Sequence, residues 1–380
     1  MMKNTRNKTQ PVYLNNAATS WPKPDCVSQA VAKAIEAQPG SMHRGGLDSF
    51  DIFDAVRESL APLLGISDPY QIALGANATW GLNLALFGFP FHEGDTVVTT
   101  KAEHNSVLRP LFELAHTRHI TVIYIDTDPT GRVSLDDWEE AMAVYRPKLV
   151  VFNHASNVTG AVNDAASMTS AAKKIGACVL IDASQTLGWL SLHAEEWGAD
   201  MVAFTGHKYL LGPQGTGGLW VRKSLTLKPH LMGGTGIKSD MDVMPIEMPL
   251  HLEAGTSNEP SYYGLLAALN WQKEHPLDSI DFEKKFSALR HGLVKAGARV
   301  ILPEGECTPV VSFTIPGETV ADVGFILQES YDILCRTGLH CAPKIFSCLP
   351  VPETVRISLS RFTSEEEIST LITAVEDIIG

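Results

Sequence analysis

Four short stretches of this chain set together residue types that can do chemistry. RTGLHCAP, Arg336 to Pro343, places a cysteine beside a histidine and downstream of an Arg-Thr-Gly turn. Taken alone, Cys341 reads equally as a nucleophile, half of a disulfide, a metal ligand or a small packed residue. LIDASQT ends an apolar run in Asp182, with Gln185 three residues on. An acid just past a buried strand caps a helix, or protonates a heterocyclic nitrogen. FTGHKYLLGPQGTGG carries Thr205, His207 and Lys208 past the next apolar run and into a glycine-rich turn. A lysine at a buried strand end is costly unless it is paired or covalently engaged, because desolvation disfavours the ammonium. GANATWGLN, Gly75 to Asn83, opens a helix directly after a strand, where free N–H groups and the helix dipole favour a phosphate. It is neither a G-x-G-x-x-G nor a P-loop, so it does not point to a nucleotide. A phosphate cradle, a strand-end acid, a histidine and a strand-end lysine together describe a site for pyridoxal phosphate.

The elements that must position these residues are legible as periodicity. From about residue 70, short apolar runs (QIALGA, DTVVTT, ITVIYIDT, KLVVFNHAS, ACVLIDAS, DMVAFTGH, GGLWVRK) alternate with helical segments such as ATWGLNLALFGF, RPLFELAHTRH and AASMTSAAKKIG. Near-continuous apolar strands joined by helices imply an α/β fold with a mainly parallel sheet buried on both faces. In such sheets ligands bind beyond the carboxyl ends of the strands, where the polar clusters fall. The tail, with TPVVSFTIP, ETVADVGFILQESY, TVRISLS and SEEEISTLITAVEDIIG, reads as a smaller α+β unit. The expected division is a large domain over 20–275 and a small C-terminal domain over 276–380, joined by the N-terminal segment 1–19.

Composition excludes several classes. The formal net charge of -13 over 380 residues argues against nucleic acid as a partner. No apolar run has the length of a membrane span, and the polar start MMKNTRNKTQP lacks the apolar stretch of a signal peptide. The six cysteines are sparse and form no C-x-x-C pair, which suggests neither a disulfide framework nor a zinc knuckle. The thirteen histidines show no metal-ligand spacing, so no metal is expected. A reduced cytoplasmic protein is the reading.

In its motifs the chain resembles the class V aminotransferases, pyridoxal phosphate enzymes of fold type I, and most closely their cysteine desulfurase and selenocysteine lyase branch. YLNNAAT, HRGG, NATWGLN, EHNSVLRP, SNVTG, IDASQT, TGHK, EAGTSN, RTGLHCAP and VRISLS occur in the family's order, nearly end to end. The resemblance implies Lys208 as the covalent anchor of the cofactor, Asp182 as partner of its ring nitrogen and Gln185 on its phenolic oxygen. It implies His104 stacked on the ring, and Ala78, Thr79, Thr205 and His207 around the phosphate. Thr256 resembles a residue that reaches the phosphate of a neighbouring subunit, which implies a homodimer. Asn157 and Arg356 are implied as the binders of the substrate carboxylate, Asn157 also against the cofactor and Arg356 through a bidentate fork. His43 and Arg44 in HRGG are read as shaping the entrance and left outside the site.

Within this branch Cys341 is implied as the acceptor of sulfur from L-cysteine, with alanine released, a persulfide left on the enzyme and the sulfur passed on to an acceptor protein. Selenocysteine lyase, or another class V activity on a small amino acid, is the alternative. His340 and Arg336 are the neighbours in sequence that could favour a thiolate. Two positions depart from the family's pattern: Trp80 stands where many relatives carry an acid, and Thr205 replaces a common serine. The segment KIFSCLPVPET after Cys341 is compact.

Overall fold

A computed structural model of the chain describes residues 11–37, 50–236, 238 and 240–380. The HRGG stretch with His43 and Arg44 lies outside the described residues.

Strand β1 (Val12–Tyr13) and helices α1 (Asp25–Glu36) and α2 (Ile52–Leu64) precede the main sheet. Strand β2 (Ile72–Gly75) leads into α3 (Ala78–Gly88), β3 (Thr96–Thr100) into α4 (Asn105–Thr117), and β4 (Thr121–Ile125) into α5 (Leu135–Tyr145). Then come β5 (Leu149–Asn153), α6 (Ala165–Lys174), β6 (Cys178–Asp182), the short α7 (Ala194–Trp197), β7 (Met201–Thr205) and β8 (Gly217–Val221). These seven strands form one sheet in the order β2-β8-β7-β6-β5-β3-β4. All run parallel except β8, which is antiparallel to both of its neighbours. The central strands are covered on both faces: Leu149, Val150, Val151 and Phe152 of β5 are all fully buried. That burial selects the near-continuous β-branched and aromatic runs read from the sequence.

Helix α8 (Glu259–Glu274) packs against α1 and α2, and α9 (Ser279–Lys295) begins a second assembly. Here β9 (Arg299–Ile301), β10 (Val310–Thr314), α10 (Val320–Tyr331), β11 (Ile333–Leu334), β12 (Arg336–Gly338), β13 (Thr354–Ser358) and α11 (Glu365–Ile379) follow. Strands β12-β13-β10-β9 make an antiparallel sheet. The capping box of α11, Ser364 with Glu367, satisfies its first orphan N–H groups reciprocally.

The chain's beginning returns to this second layer. Strand β1 pairs in parallel with β11, Asn15 bridges to Ser358, and Leu14 is buried in the core formed by Phe282, Phe286, Phe313 and Ile357. Residues 15 to 20 thereby run between the two sheets, touching Ser358 on one side and His207 on the other. No helix among the described residues is long and apolar enough to cross a membrane.

Candidate active site

The carboxyl ends of the parallel strands open into a cavity of about 230 Å³. Its wall on one side is the start of α3. The first N–H groups of a helix lack intrahelical acceptors; Asn77 takes that of Trp80 with its side chain, and Ala78 and Thr79 line the cavity. The helix end sits hard against β8. A Cβ on Gly217 would lie 2.6 Å from Asn77 Cα and from the carbonyl oxygen of Phe204, so only glycine admits this approach. Trp80, the departure noted in the sequence, lies against Gly75, where a Cβ would meet its ring at 2.3 Å.

His104 caps α4 with its ring, accepting from the backbone N–H of Ser106 at 3.1 Å. That donor fixes Nδ1 as unprotonated, and the Ser106 hydroxyl stands 2.8 Å from the same nitrogen and 2.7 Å from the Thr79 hydroxyl. Thr79, Ser106 and His104 thus form one chain from the phosphate-type cradle to the ring. Burial, reinforced by the nearby Lys208 cation, holds His104 down at about 4, so the imidazole is neutral at pH 7.

Asp182 ends β6, buried, and accepts from Ser184 N at 2.9 Å and Ser184 Oγ at 2.5 Å. Among the described residues it is the single acid of the cavity wall. Gln185 donates from Nε2 to the Ala17 carbonyl at 3.0 Å and leaves Oε1 buried without a partner. Thr205 ends β7, and His207 and Lys208 follow it into the cavity wall. Burial lowers the Lys208 ammonium to about 8; Asp182 opposes the shift, and Arg356 and Arg336 add to it. A buried amine poised near neutrality is a nucleophile and base. His207 is likewise held at about 4 by burial and the Lys208 and Lys23 cations, with Nδ1 unpartnered.

The second sheet supplies the cations. Arg336 and Arg356 are direct cross-strand partners on β12 and β13, an arrangement of like charges that is unfavourable by itself. Neither has a carboxylate ion-pair partner among the described residues. Arg356, 1% exposed, donates to the Asn157 carbonyl and to Asn15 Oδ1, and its Nε is unpartnered. Burial and Arg336 push it down to about 10. Two uncompensated guanidinium groups at one cavity suit an anionic ligand.

Arg336 answers a question the sequence left open. Its Nη2 donates to Cys341 Sγ at 2.8 Å, a charge-assisted contact that a thiolate accepts better than a thiol. His340 instead faces Thr354, with Nε2 3.1 Å from its carbonyl oxygen and 2.9 Å from its hydroxyl. His340 and Cys341 are both left-handed, at φ 50° and 59°, a conformation costing roughly 1–2 kcal/mol per non-glycine residue. Three contacts hold it: Asn157 Nδ2 to the His340 carbonyl, Asn105 N to the Cys341 carbonyl, and the His340–Thr354 pair. The cysteine loop is therefore fixed against the start of α4.

These groups fit pyridoxal phosphate. Helix N–H groups with the Thr79 hydroxyl match a phosphate, Asp182 a ring nitrogen, and Lys208 an aldehyde. The buried unpartnered atoms of Gln185, His207 and Arg356 are polar groups awaiting a ligand. Gln185 has one amide hydrogen left for a phenolic oxygen once Ala17 is served.

Of the residues singled out from the sequence, Ala78, Thr79, His104, Asn157, Asp182, Gln185, Thr205, His207, Lys208 and Arg356 line this one cavity. Cys341 sits beside it through Arg336, partly exposed. Thr256 is exposed and outside the wall. Sequence reasoning missed Asn77, Ser106, Ser184 and the Ala17–Ala18 turn. Each lay in a quoted motif (NATWGLN, EHNS, IDASQT, YLNNAAT), yet small polar and apolar residues carry no signal of their own until the fold brings them together.

The comparisons agree with this geometry. The family model described as aminotransferase class-V matches residues 12–371. A probable cysteine desulfurase of Pyrococcus abyssi is 30% identical, over 97% of this chain and 94% of its own length. One of Streptomyces coelicolor is 31% identical over 97% and 92%. Among solved structures, an apo cysteine desulfurase from Thermococcus onnurineus superposes with a TM-score of 0.88 at 28% identity, covering 97% of this chain and 94% of that one. The cysteine desulfurase CsdA of Escherichia coli gives 0.84 at 26%, again over 97% and 94%. The expected α/β fold is borne out, and the cofactor that the residues fit is the one class V aminotransferases use. The chain belongs to the class V aminotransferase family.

Proposed function

We propose that this protein is a cysteine desulfurase: it removes sulfur from L-cysteine, releases L-alanine and leaves the sulfur as a persulfide on Cys341. The observation that carries this reading is the Arg336–Cys341 contact beside the cavity that holds Lys208 and Arg356. A thiol supported by a guanidinium serves a sulfur acceptor, whereas a transaminase has no use for one. The names of the relatives near 30% identity support it.

Pyridoxal phosphate, when bound, supplies a protonated ring that absorbs the electrons released at the substrate α-carbon. Ala78, Thr79, Thr205 and His207 would hold its phosphate, Asp182 its ring nitrogen and Gln185 its phenolic oxygen, with His104 beside its ring. Lys208 would anchor it, and its amine, freed of its proton by burial, would take the α-proton of the substrate and hold it at Nζ. Arg356 binds the substrate carboxylate, with Asn157 fixing the guanidinium through its carbonyl. The Cys341 thiolate then attacks the substrate sulfur. A Cys341 S–S bond forms, the substrate Cβ–S bond breaks with its electron pair left on carbon, one proton completes the methyl group, and Lys208 returns the proton it took to the α-carbon to complete alanine.

The chain works as a homodimer in this reading, with Thr256 reaching the neighbour's phosphate. Its exposure, and that of Met232, Val243 and Ile246 in the preceding stretch, supports a covered surface there. A sulfur-acceptor protein approaches Cys341 past the exposed Leu339. Large and small domains divide at 275–276, with the N-terminal segment joined to the small one; the β1–β11 pairing and the burial of Leu14 support this. Six unpaired cysteines suit the cytoplasm.

The test is a Cys341→Ser variant assayed for alanine from L-cysteine. Alanine formation from L-cysteine is lost while the cofactor's absorption is retained; full activity in the variant defeats the assignment. Selenide release from L-selenocysteine by the same variant assigns the lyase activity instead.

A further inference from the structure

We propose that Glu103 is a neutral carboxylic acid that staples the floor of the cavity, a positioning residue for His104 and Asn153. Strands β3 and β5 pair only at Val97–Leu149 and Val98–Val150, although they run on to Thr100 and Asn153. Their carboxyl ends part, and the cavity opens where they do. Parted strands leave buried backbone groups without ladder partners, and each such group must be satisfied. Glu103 Oε1 accepts from Asn153 N at 3.0 Å and from the Thr100 hydroxyl at 2.6 Å. Asn153 Nδ2 returns the tie, donating to the Ala102 carbonyl at 2.7 Å. These side-chain bonds take the place of the missing ladder bonds and set the backbone from which His104 leaves.

The charge state follows from what surrounds the carboxyl. Glu103 is fully buried, and Oε2 has no partner among the described residues. No cation pairs with it among the described residues. The charged group that acts on it is Asp182 of β6, of the same sign, and the next residue, His104, is neutral. An unpartnered buried hydroxyl costs about 1–3 kcal/mol, and an ionised carboxylate with one bare oxygen in a dry site costs considerably more. Burial outweighs the two accepted bonds and, with Asp182, pushes the acid up to about 8. Among the described residues, Asp182 is thus left as the single acid presented to the cavity. This inference rests on the crevice geometry and is independent of which reaction the site performs.

The experiment compares the full-length, cofactor-loaded wild type with Glu103→Gln and Glu103→Ala. Thermal unfolding is followed from about pH 5 to about pH 9, with the circular dichroism of the bound cofactor. The unfolded chain releases the Glu103 proton near its ordinary value, while the folded chain keeps it up to about 8. Wild type therefore loses stability relative to Glu103→Gln as pH rises through that window, and the gap levels off above it. Glu103→Gln, which accepts the same two bonds, retains the cofactor's dichroism. Glu103→Ala, which strands the Asn153 N–H, diminishes it and weakens cofactor binding about tenfold. A gap that does not change with pH overturns the neutral state. A Glu103→Gln variant that loses the dichroism as completely as Glu103→Ala overturns it equally.

Discussion

Lys208 concentrates the residue-scale physics of the site. Its ammonium has lost its water and sits near two guanidinium groups, and the Asp182 carboxyl only partly compensates. The free amine is consequently available well below the usual lysine range. The rate at which cofactor-stripped protein takes up pyridoxal phosphate is expected to rise with pH and reach half its maximum near about 8. Stopped-flow absorbance measures it directly, and a rate still climbing above about pH 10 contradicts the burial argument. Arg336 makes the complementary point. Its guanidinium reaches both the sulfur and the space before Arg356, so one side chain can serve the nucleophile and the anionic substrate together.

At the scale of elements, the site exists because strand ends and helix starts face one cavity. Gly217 of β8 is one close approach that cannot relax, since the atoms nearest a Cβ there are all backbone. A Gly217→Ala variant is expected to lose about 1–3 kcal/mol of stability, and to bind cofactor more weakly because the start of α3 is displaced. Calorimetry and a cofactor titration check both; unchanged cofactor affinity would separate the cradle from this contact. Much of this level was legible in the sequence. LIDASQT and FTGHK announced strand ends because an apolar run stops abruptly at Asp182 and Thr205, and α3 followed from its position after β2. The antiparallel sense of β8 was not legible, because a five-residue apolar strand reads the same in either direction. RPLFELAHTRH was read as helical, yet α4 begins at Asn105, since its cap is the His104 ring rather than a common capping residue. The link from Arg336 to Cys341, the chain from Thr79 through Ser106 to His104, and the Glu103 staple are tertiary facts, and no local pattern announces them.

Across the whole molecule, two sheets contribute to one cavity. The large sheet brings the cradle, Asp182 and Lys208; the smaller one brings Arg336, Arg356 and the cysteine loop. The segment from Asn15 to Ser20 ties them, through Asn15 to Arg356 and Ser20 to His207. If a neighbouring copy completes the phosphate site, Thr256→Val leaves the dimer intact in sedimentation but weakens cofactor binding about tenfold, one buried hydrogen bond to a charged group. Unchanged affinity removes Thr256 from the site. The assembled molecule is read as moving sulfur from L-cysteine to Cys341, and mass analysis of the peptide bearing that residue is the most direct test. After incubation of the cofactor-loaded protein with L-cysteine and no reductant, the Cys341 peptide is expected to be one sulfur atom heavier, with alanine formed in equal amount. Alanine formed while Cys341 remains a plain thiol, with the extra sulfur absent or on another cysteine, would contradict the account.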